Sequence, residues 1–162
     1  MNEANEIEAI RQLKYRYFRF LDQKRWDDLG ALCTPDCTFA YHSGAHTYPN
    51  RDAAVAFLRK YMHHPEVLSL HQGHHPEIVL ESPTTARGRW YLQDVVFKLH
   101  EGTRLEGNGW YEDRYVKVDG EWRIAHTGYD RSFEIITPIP AGAEIFNGFA
   151  EGGPFRAAAG FE

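Results

Sequence analysis

The sequence has few cysteines and no excess of positive charge, which excludes a disulfide-stabilised domain and a nucleic-acid-binding protein. Its 162 residues include only Cys33 and Cys37, too few thiols to cross-link a domain of this size, so we expect both to be reduced. No second cysteine or histidine pair follows at a matching spacing, and we therefore expect no structural zinc site. Lysine and arginine number 18 against 23 aspartate and glutamate residues, which gives a net charge of -5. Because the sequence has no basic stripe to replace phosphate counterions, nucleic acid is excluded as a partner.

Long apolar runs are also missing from the sequence. No stretch approaches the roughly 18 apolar residues that a membrane-spanning helix needs, so we expect no membrane partner. Residues 1–8 are polar and acidic, from which we expect no signal peptide and a cytoplasmic protein. Hydrophobic residues make up 43% and charged residues 25%, as in ordinary soluble domains, but the aromatic content of 14% is high. We expect these aromatic side chains to fill a core or to line an apolar cavity.

Three helices are predicted in the first part of the chain. Apolar residues recur at helical spacing from Ile7 to Leu21, which predicts a helix of about five turns that ends near Asp22. Two shorter helices are predicted over 26–32 and 52–61. The segment before the third helix, from residue 43 to residue 50, contains glycine and proline, so we expect a loop there.

The rest of the chain has the alternating pattern of β-strands. Asp119 and Gly120 are a strong signal for a hairpin between the last two strands. Helices followed by a run of strands predict an α+β fold, a cone-shaped α+β barrel in which three helices pack in a strongly curved, mostly antiparallel sheet. The predicted strands are 38–41, 67–72, 77–81, 85–98, 104–117 and 121–133.

Residues 138–162 differ from the rest of the chain. They contain prolines, glycines and four phenylalanines without any regular spacing, so they cannot form a core of their own. We therefore divide the chain into one domain over 1–137 and a C-terminal tail over 138–162. Because the phenylalanines need an apolar surface, we expect the tail to dock on its own subunit or on a neighbouring one.

Three histidines lie close together in the stretch around His71. His71 alternates with Leu68 and Leu70, so we expect it to face away from the leucines, at the end of a strand that a glycine and a proline interrupt. Two interpretations are open for His71, a core histidine bonded to backbone and a catalytic base. His74 and His75 raise the alternative of a metal site, but the three histidines have no spacing that places them on one face, and we expect no metal.

Three further polar residues are candidates for the same site. Asp22 follows the last turn of the first helix, and it is either a solvated acid or a catalytic carboxylate. Tyr17 lies on the apolar face of that helix, where packing alone explains it, although a buried hydroxyl needs a partner. Arg131 ends the last strand, where a rim ion pair is the alternative to a role in the site. The candidates for lining an apolar pocket, which the sequence does not separate from core residues, are Phe57, Trp90, Leu92, Trp110 and Tyr129.

Six short motifs within residues 6–133 together resemble the SnoaL-like branch of the nuclear transport factor 2 superfamily. The motifs span 20–22, 26–29, 34–39, 73–78, 109–115 and 119–124. The resemblance implies the cone-shaped α+β barrel. It says less about function, because the superfamily includes dehydratases, isomerases, epoxide hydrolases and non-catalytic modules.

Within this branch, the chain is similar to hexachlorocyclohexane dehydrochlorinase, scytalone dehydratase and bile-acid 7α-dehydratase. These lyases use an aspartate at the end of the first helix and a histidine on the strand after the third helix, which match Asp22 and His71. A tyrosine and a late arginine of the bile-acid enzyme resemble Tyr17 and Arg131. The essential carboxylate of the ketosteroid isomerases has Asp94 as its nearest counterpart.

The resemblance implies a cofactor-independent lyase that eliminates water from a small hydrophobic, cyclic substrate. In that reaction His71 removes a proton from carbon and Asp22 orients the imidazole. Tyr17 and Arg131 stabilise the leaving oxygen or the developing enolate. An isomerase that uses the same pocket and a non-catalytic binding or scaffold module are the alternatives. Because the resembling lyases are trimers, we expect a homotrimer rather than a dimer.

Overall fold

The computed structural model describes residues 2–149, which form three helices and a six-stranded sheet. In chain order the elements are α1 (Glu3–Asp22), α2 (Trp26–Ala31), β1 (Cys33–Tyr41), β2 (His46–Tyr48), α3 (Arg51–Met62), β3 (Val67–Ser82), β4 (Thr85–Lys98), β5 (Thr103–Val118) and β6 (Glu121–Pro138). A short 3-10 turn, Leu99–Glu101, connects β4 to β5. The described residues contain no helix that is long and apolar enough to cross a membrane.

The strands follow the order β2-β1-β6-β5-β4-β3 across the sheet. All neighbouring strands are antiparallel except β1 and β6, which are parallel. The three helices pack against this curved, open sheet, so the predicted α+β class with its cone shape is confirmed. The predicted hairpin is also confirmed, because Asp119 and Gly120 join β5 to β6 with the positive φ angles of 51° and 84° that such a turn requires.

Helix α1 runs along the sheet because one of its faces is apolar. Asn2 caps the first turn by accepting a hydrogen bond from the N–H of Ala4 at 2.9 Å. Lys14 lies on the apolar face, is fully buried, and pairs with Asp113 of β5 at 2.8 Å. Because breaking such a buried pair costs about 3–5 kcal/mol, it anchors α1, with Asp22 at its end, to the sheet. The buried apolar residues of α1 are Ile10, Leu13, Tyr17, Phe18, Phe20 and Leu21.

Strand β3 is longer than the strands predicted for this region. It continues through Pro76, because a bulge between His74 and Glu77 absorbs the proline without ending the strand. His71 therefore lies within the strand, and the prediction that it ends a strand is wrong. The histidine does face away from the leucines, but these point outward, where Leu70 is 49% exposed.

Gly73 allows α1 to pack closely on β3. A Cβ atom at this position would lie 2.9 Å from Cζ of Phe18 on α1 and 3.3 Å from Cε3 of Trp90 on β4. A larger residue would push the helix away from the strand. The glycine that looks like a strand breaker in the sequence is therefore a contact point between helix and sheet, near the end of α1.

Strand β6 contains a bulge that changes which of its side chains face inward. Ser132 is the extra residue, since Phe133 and Arg131 pair with two consecutive residues of β5. Arg131 and Glu134 consequently both face the interior of the cone, whereas Phe133 lies on the outer surface.

Two predicted boundaries near the first strand are wrong. Strand β1 begins at Cys33 and not at residue 38, because its first residues pair with β6 ahead of an irregularity in the register. The predicted loop over 43–50 contains the short strand β2, which pairs with β1. In both places the alternating pattern is too short or too interrupted to be recognised in the sequence.

Two residues in the described part of the predicted tail contact their own subunit, whereas Phe146 is 94% exposed. Strand β6 ends next to the predicted domain boundary. Further along, Asn147 donates a hydrogen bond to the backbone oxygen of Pro65 at 2.9 Å. The ring of Phe149 lies 4.7 Å from the ammonium group of Lys24. Residues from 150 onward, which include two of the four phenylalanines, lie outside the described residues, and the division into domain and tail stays a prediction.

Candidate active site

A cavity of about 690 Å³ opens between the helices and the inner face of the sheet. This volume is in the usual range for sites that bind small molecules. Tyr17 of α1 and Phe57 of α3 contribute to the helical side of the wall. The sheet contributes Tyr111 together with two polar residues, His71 and Arg131. The wall thus combines apolar and aromatic side chains with polar and charged ones, and most of its surface is apolar.

His71 and Asp22 lie within hydrogen-bond distance at the wall of this cavity. Nδ1 of His71 is 2.7 Å from Oδ1 of Asp22, and the backbone N–H of His71 donates to Oδ2 at 2.9 Å. The hydroxyl of Ser69 donates to Oδ1 at 2.8 Å. The carboxylate thus accepts three hydrogen bonds from one strand, which hold it and the imidazole in a single arrangement.

The contacts determine which nitrogen of the His71 ring carries the proton. An ionised carboxylate can only accept hydrogen bonds, so Nδ1 of His71 must be protonated to bond Asp22. In the neutral imidazole, Nε2 then holds the free lone pair. His71 lines the cavity, whereas Asp22, which bonds Nδ1, is not among the lining residues. Nε2 is therefore the nitrogen that is available to a bound molecule. This is the arrangement that a general base requires.

Two tyrosine hydroxyls meet on another part of the wall. The hydroxyls of Tyr17 and Tyr41 are 2.8 Å apart, and both side chains line the cavity. Burial raises the pKa of Tyr17 well above its ordinary value, and burial does the same to the pKa of Tyr41. Both phenols therefore stay neutral. Since one hydroxyl donates to the other, one O–H of the pair remains to donate to a bound molecule.

Arg131 pairs with Asp94 on the same wall. Nη1 and Nη2 of Arg131 lie 2.6 and 2.9 Å from the two carboxylate oxygens of Asp94, and the side chains are only 9% and 4% exposed. Burial lowers the pKa of Arg131, but the hydrogen bonds and charge of Asp94 outweigh it, so the pKa is raised. Nε of Arg131 is also 3.4 Å from Oε2 of Glu134. The guanidinium is thus charged, and it lies between the carboxylates of Asp94 and Glu134.

Gly107 makes room for this pair. A Cβ atom at this position would lie 2.8 Å from Oδ1 of Asp94 and would overlap Nη1 of Arg131. Gly107 is also the cross-strand partner of Asp94 in the β4–β5 register. The position of the ion pair therefore depends on a residue without a side chain on the facing strand.

A comparison of the sequence with known protein families finds one family that matches this chain. Residues 2–128 match the sequence profile of the SnoaL-like domain, which is most of the chain. The chain belongs to the SnoaL-like family. The resemblance found in its motifs is thereby confirmed at the level of the family.

Proteins similar to this SnoaL-like protein are named as a dehydratase, a candidate scytalone dehydratase and a dehydrochlorinase. It is 45% identical over 49 residues to the dehydratase cfoI of Aspergillus candidus, a match that covers 30% of this chain and only 28% of that relative. A candidate scytalone dehydratase of Novosphingobium aromaticivorans superposes with a TM-score of 0.73 and 23% identity, covering 88% of this chain and 97% of that one. The hexachlorocyclohexane dehydrochlorinase LinA-type3 of Novosphingobium barchaimii superposes with a TM-score of 0.74 and 16% identity, covering 88% and 95%. At these identities the two structures establish the fold.

The structure shows which of the five candidate pocket residues of the SnoaL-like protein line the cavity and which do not. Phe57 and Tyr129 line the cavity. Trp90 and Leu92 face the same side of the sheet but are fully buried in the core, outside the lining, and Nε1 of Trp90 donates to the hydroxyl of Tyr115 at 2.9 Å. The expectation for both is corrected, because they lie in the packed part of the cone under α1.

The expectation for Trp110 is also corrected. It lies on the outer face of the sheet, is 42% exposed, and packs edge-on against Tyr91 with ring centroids 4.2 Å apart. Tyr111, the next residue, is the one that faces the cavity. Alternation along β5 shows that neighbours face opposite sides, but only the curvature of the sheet decides which side is inside.

The three histidines in the stretch around His71 do not meet in the SnoaL-like protein. His71 lines the cavity, whereas His74 and His75 border a groove on the outer face, next to Tyr91. Within residues 2–149, these three side chains form no common metal site.

Sequence reasoning missed several residues of the site. Ser69 is two residues before His71, so the alternation along β3 already places it on the same face as the histidine. Tyr41 ends a strand that was predicted only in part. Asp94 was considered only as a counterpart to another enzyme's carboxylate, and its pairing with Arg131 has no local signal. Glu134 faces the cavity because of the bulge in β6, and no pattern in the sequence predicts this bulge.

Proposed function

We propose that this SnoaL-like protein is a cofactor-independent lyase that removes a carbon-bound proton from a small hydrophobic, cyclic substrate and eliminates water. The observation that carries the proposal is the 2.7 Å hydrogen bond between Nδ1 of His71 and Asp22, at the wall of a largely apolar cavity. A part-buried histidine with this orientation has one nitrogen held by a carboxylate and the other free to accept a proton.

The proton transfer uses the free nitrogen of His71. Nε2 takes the proton from a substrate carbon, and the electrons of the C–H bond form the new C=C bond as the C–O bond breaks. The carboxylate of Asp22 stabilises the imidazolium that forms and keeps the ring in place. The leaving oxygen takes the proton back from Nε2 and departs as water, so that the substrate becomes an alkene and the enzyme returns to its starting state.

The tyrosine pair stabilises the oxygen on which negative charge develops. The raised pKa of Tyr17 and the raised pKa of Tyr41 keep both hydroxyls protonated, so they donate a hydrogen bond rather than lose a proton. A donor aimed at a developing oxyanion in a water-poor site contributes more than the same donor in water. The Arg131–Asp94 pair supplies a second polar region, suited to a hydroxyl or keto substituent of the substrate.

Elimination is favoured over the two alternatives. An isomerase that used Asp94 as its base would need a free carboxylate, whereas both oxygens of Asp94 are held by Arg131. A binding module would not need the hydrogen bonds that orient His71. The dehydratases and the dehydrochlorinase among the relatives are consistent with elimination, and isomerisation by His71 itself remains the second candidate.

We further propose that the protein is a homotrimer, as the resembling lyases are. The outer face of the sheet carries exposed apolar side chains that a monomer would leave in water. Packing of these faces between subunits would bury them in a closed assembly. The exposed residues on this face include Leu70, Val79, Trp110, Phe133 and Ile135.

The experiment that tests the proposed function is a substrate panel. Purified protein and the His71→Ala variant are incubated with hydroxy-steroids, hydroxylated polycyclic ketones and chlorinated cyclohexanes, and products are identified by mass spectrometry. We expect loss of water, 18 mass units, from at least one hydroxylated compound with the wild type only. An isomerised product of unchanged mass would favour the second candidate, and binding without any product would favour the binding module.

A further inference from the structure

We infer that a divalent transition-metal ion binds at the mouth of the cavity, between the side chains of His64, Glu66 and His100. One potential ligand atom from each of these three residues lies within 4.8 Å of the other two. All three side chains are exposed to solvent, and the two histidines also line the cavity. The group is therefore open to an ion from solution at the edge of the cavity.

Backbone contacts hold the two segments that carry these ligands. His64 and Glu66 lie in the turn between α3 and β3, and His100 lies in the 3-10 turn after β4. The N–H of Leu99 donates to the backbone oxygen of Glu66 at 2.9 Å, which joins the two turns. Nζ of Lys24 donates to the backbone oxygen of His64 at 2.5 Å. The turns are thus positioned before any ion binds, and the imidazole rings are 5.2 Å apart between centroids.

Nδ1 of His64, a candidate ligand atom, carries a lone pair that a backbone N–H occupies in this structure. Nδ1 of His64 accepts a hydrogen bond from the N–H of Glu66 at 3.2 Å, so this nitrogen carries no proton. The same Nδ1 is 3.9 Å from Oε2 of the Glu66 side chain. An ion between these two atoms would replace one weak hydrogen bond and would require no change of tautomer in His64.

The size of the group is compatible with coordination after small side-chain rotations. In a tetrahedral zinc site with bonds of about 2.0–2.2 Å, ligand atoms are about 3.3 Å apart. The ligand atoms, which are now up to 4.8 Å apart, must therefore move closer together. Rotation of the three exposed side chains is sufficient for this change. Glu101, whose Oε1 is 3.6 Å from Nε2 of His100, or a water molecule would complete the shell.

The donor set selects the class of ion. Two imidazoles and a carboxylate suit Zn²⁺, Cu²⁺ or Ni²⁺, whereas Mg²⁺ and Ca²⁺ prefer oxygen ligands throughout. Glu101 also pairs with the ammonium group of Lys98 at 3.3 Å. An ion at this position would connect the two turns at the entrance. The first of these turns also contacts the C-terminal part of the chain, because the backbone oxygen of Pro65 accepts a hydrogen bond from Asn147.

The binding arm of the test uses untagged protein, zinc chloride and isothermal titration calorimetry. We expect one zinc ion per chain. His64→Ala and His100→Ala should each weaken binding by about tenfold or more, and Glu66→Gln should weaken it to a smaller extent. The matched control is His74→Ala with His75→Ala, a second pair of neighbouring histidines on the outer face, and it should bind zinc as the wild type does. Absence of binding to the wild type, or binding that is lost only in the control, would overturn the inference.

A second arm measures what the ion does to the two turns. Hydrogen exchange followed by mass spectrometry should show slower exchange in the turns around 63–66 and 99–101 when zinc is added to the wild type, and no change in His64→Ala. Unchanged exchange in the wild type would mean that the two turns are not bridged. Inhibition of turnover by zinc in the wild type but not in His64→Ala is also expected. This readout alone rests on the proposed function, so its failure is distinguishable from failure of the metal site.

Discussion

His71 of β3 and Asp94 of β4 are direct cross-strand partners on the inner face of the sheet, and each is held by a different group. His71 bonds Asp22 from the end of α1, whereas Asp94 bonds Arg131 from β6. Side chains at such positions have Cβ atoms about 4.5–5.5 Å apart, so two polar units lie side by side on the wall of the cavity. Because Arg131 occupies both oxygens of Asp94, that carboxylate does not compete with Asp22 for the imidazole.

Replacement of His71 by alanine tests the base directly. We expect kcat to fall by about 10²–10⁴-fold, since general-base catalysis contributes this much, while the melting temperature changes little. His75→Ala is the control, because it removes an exposed histidine on the outer face. Activity of His71→Ala within a few-fold of the wild type would contradict the proposed mechanism.

The partners of His71 should differ in the size of their effect. In Asp22→Asn the amide can donate to Nδ1 and stabilise the wrong tautomer, so we expect a loss close to that of His71→Ala. Ser69→Ala removes one hydrogen bond to the charged carboxylate of Asp22, worth about 1.5–3 kcal/mol, and should cost roughly a factor of 10 to 160. Both are measured as kcat/KM. Equal effects of the two substitutions would mean that Asp22 has no special role in orienting the ring.

The tyrosine pair is expected to affect the rate more than substrate binding. Tyr17→Phe should lower kcat by about 10²–10³-fold if its hydroxyl donates to the developing oxyanion. Tyr61→Phe is the matched control, because this tyrosine also lines the cavity but is exposed at its edge. A higher KM at unchanged kcat for Tyr17→Phe would show that the hydroxyl only binds the substrate.

The pH dependence of kcat should have an acidic limb and no alkaline limb from the tyrosines. The rate falls on the acid side because a general base must be neutral to accept a proton. On the alkaline side, burial raises the pKa of Tyr17 and the pKa of Tyr41, so both keep their protons beyond about pH 10, where an ordinary tyrosine ionises. A rate that rises steadily as pH falls would instead point to a protonated group as the essential catalyst.

The Arg131–Asp94 pair should matter for stability as well as for the site. Arg131→Gln leaves the carboxylate of Asp94 buried without a partner, and we expect a loss of about 3–5 kcal/mol in the free energy of unfolding. Combining it with Asp94→Asn should cost less than the sum of the two single changes, because the residues interact directly. Urea denaturation measures all three variants, and strict additivity would contradict a coupled pair.

Assembly is tested on the outer face of the sheet. The double variant Phe133→Lys and Ile135→Lys places two charges on the apolar patch and should reduce the mass measured by light scattering from a trimer to a monomer. Val118→Lys is the control, because this residue is exposed at the β5–β6 hairpin.

Removal of the tail after Thr137 should weaken assembly and expose the mouth of the cavity. An unchanged mass in both cases would exclude this face and the tail from the interface.

The sequence by itself determined the features that depend on local patterns. The apolar spacing of α1 predicted a helix that ends near Asp22, and in the structure it ends at that residue. Asp119 and Gly120 predicted their hairpin, because few residue pairs adopt two positive φ angles in succession. The alternation around His71 showed that it lies on the opposite face from Leu70. Each of these inferences rests on interactions between residues that are close in the chain.

Only the tertiary structure decided which face is inside and which distant side chains meet. The curvature of the sheet buries Tyr111 and exposes Trp110, although the two are neighbours with equally apolar rings. A single extra residue in β6 turns Glu134 toward the cavity. The contacts of Asp22 with His71 and of Asp94 with Arg131 join residues on different elements, 49 and 37 positions apart. Such pairings follow from strand register and helix placement, which the packing of the whole chain sets and no local pattern encodes.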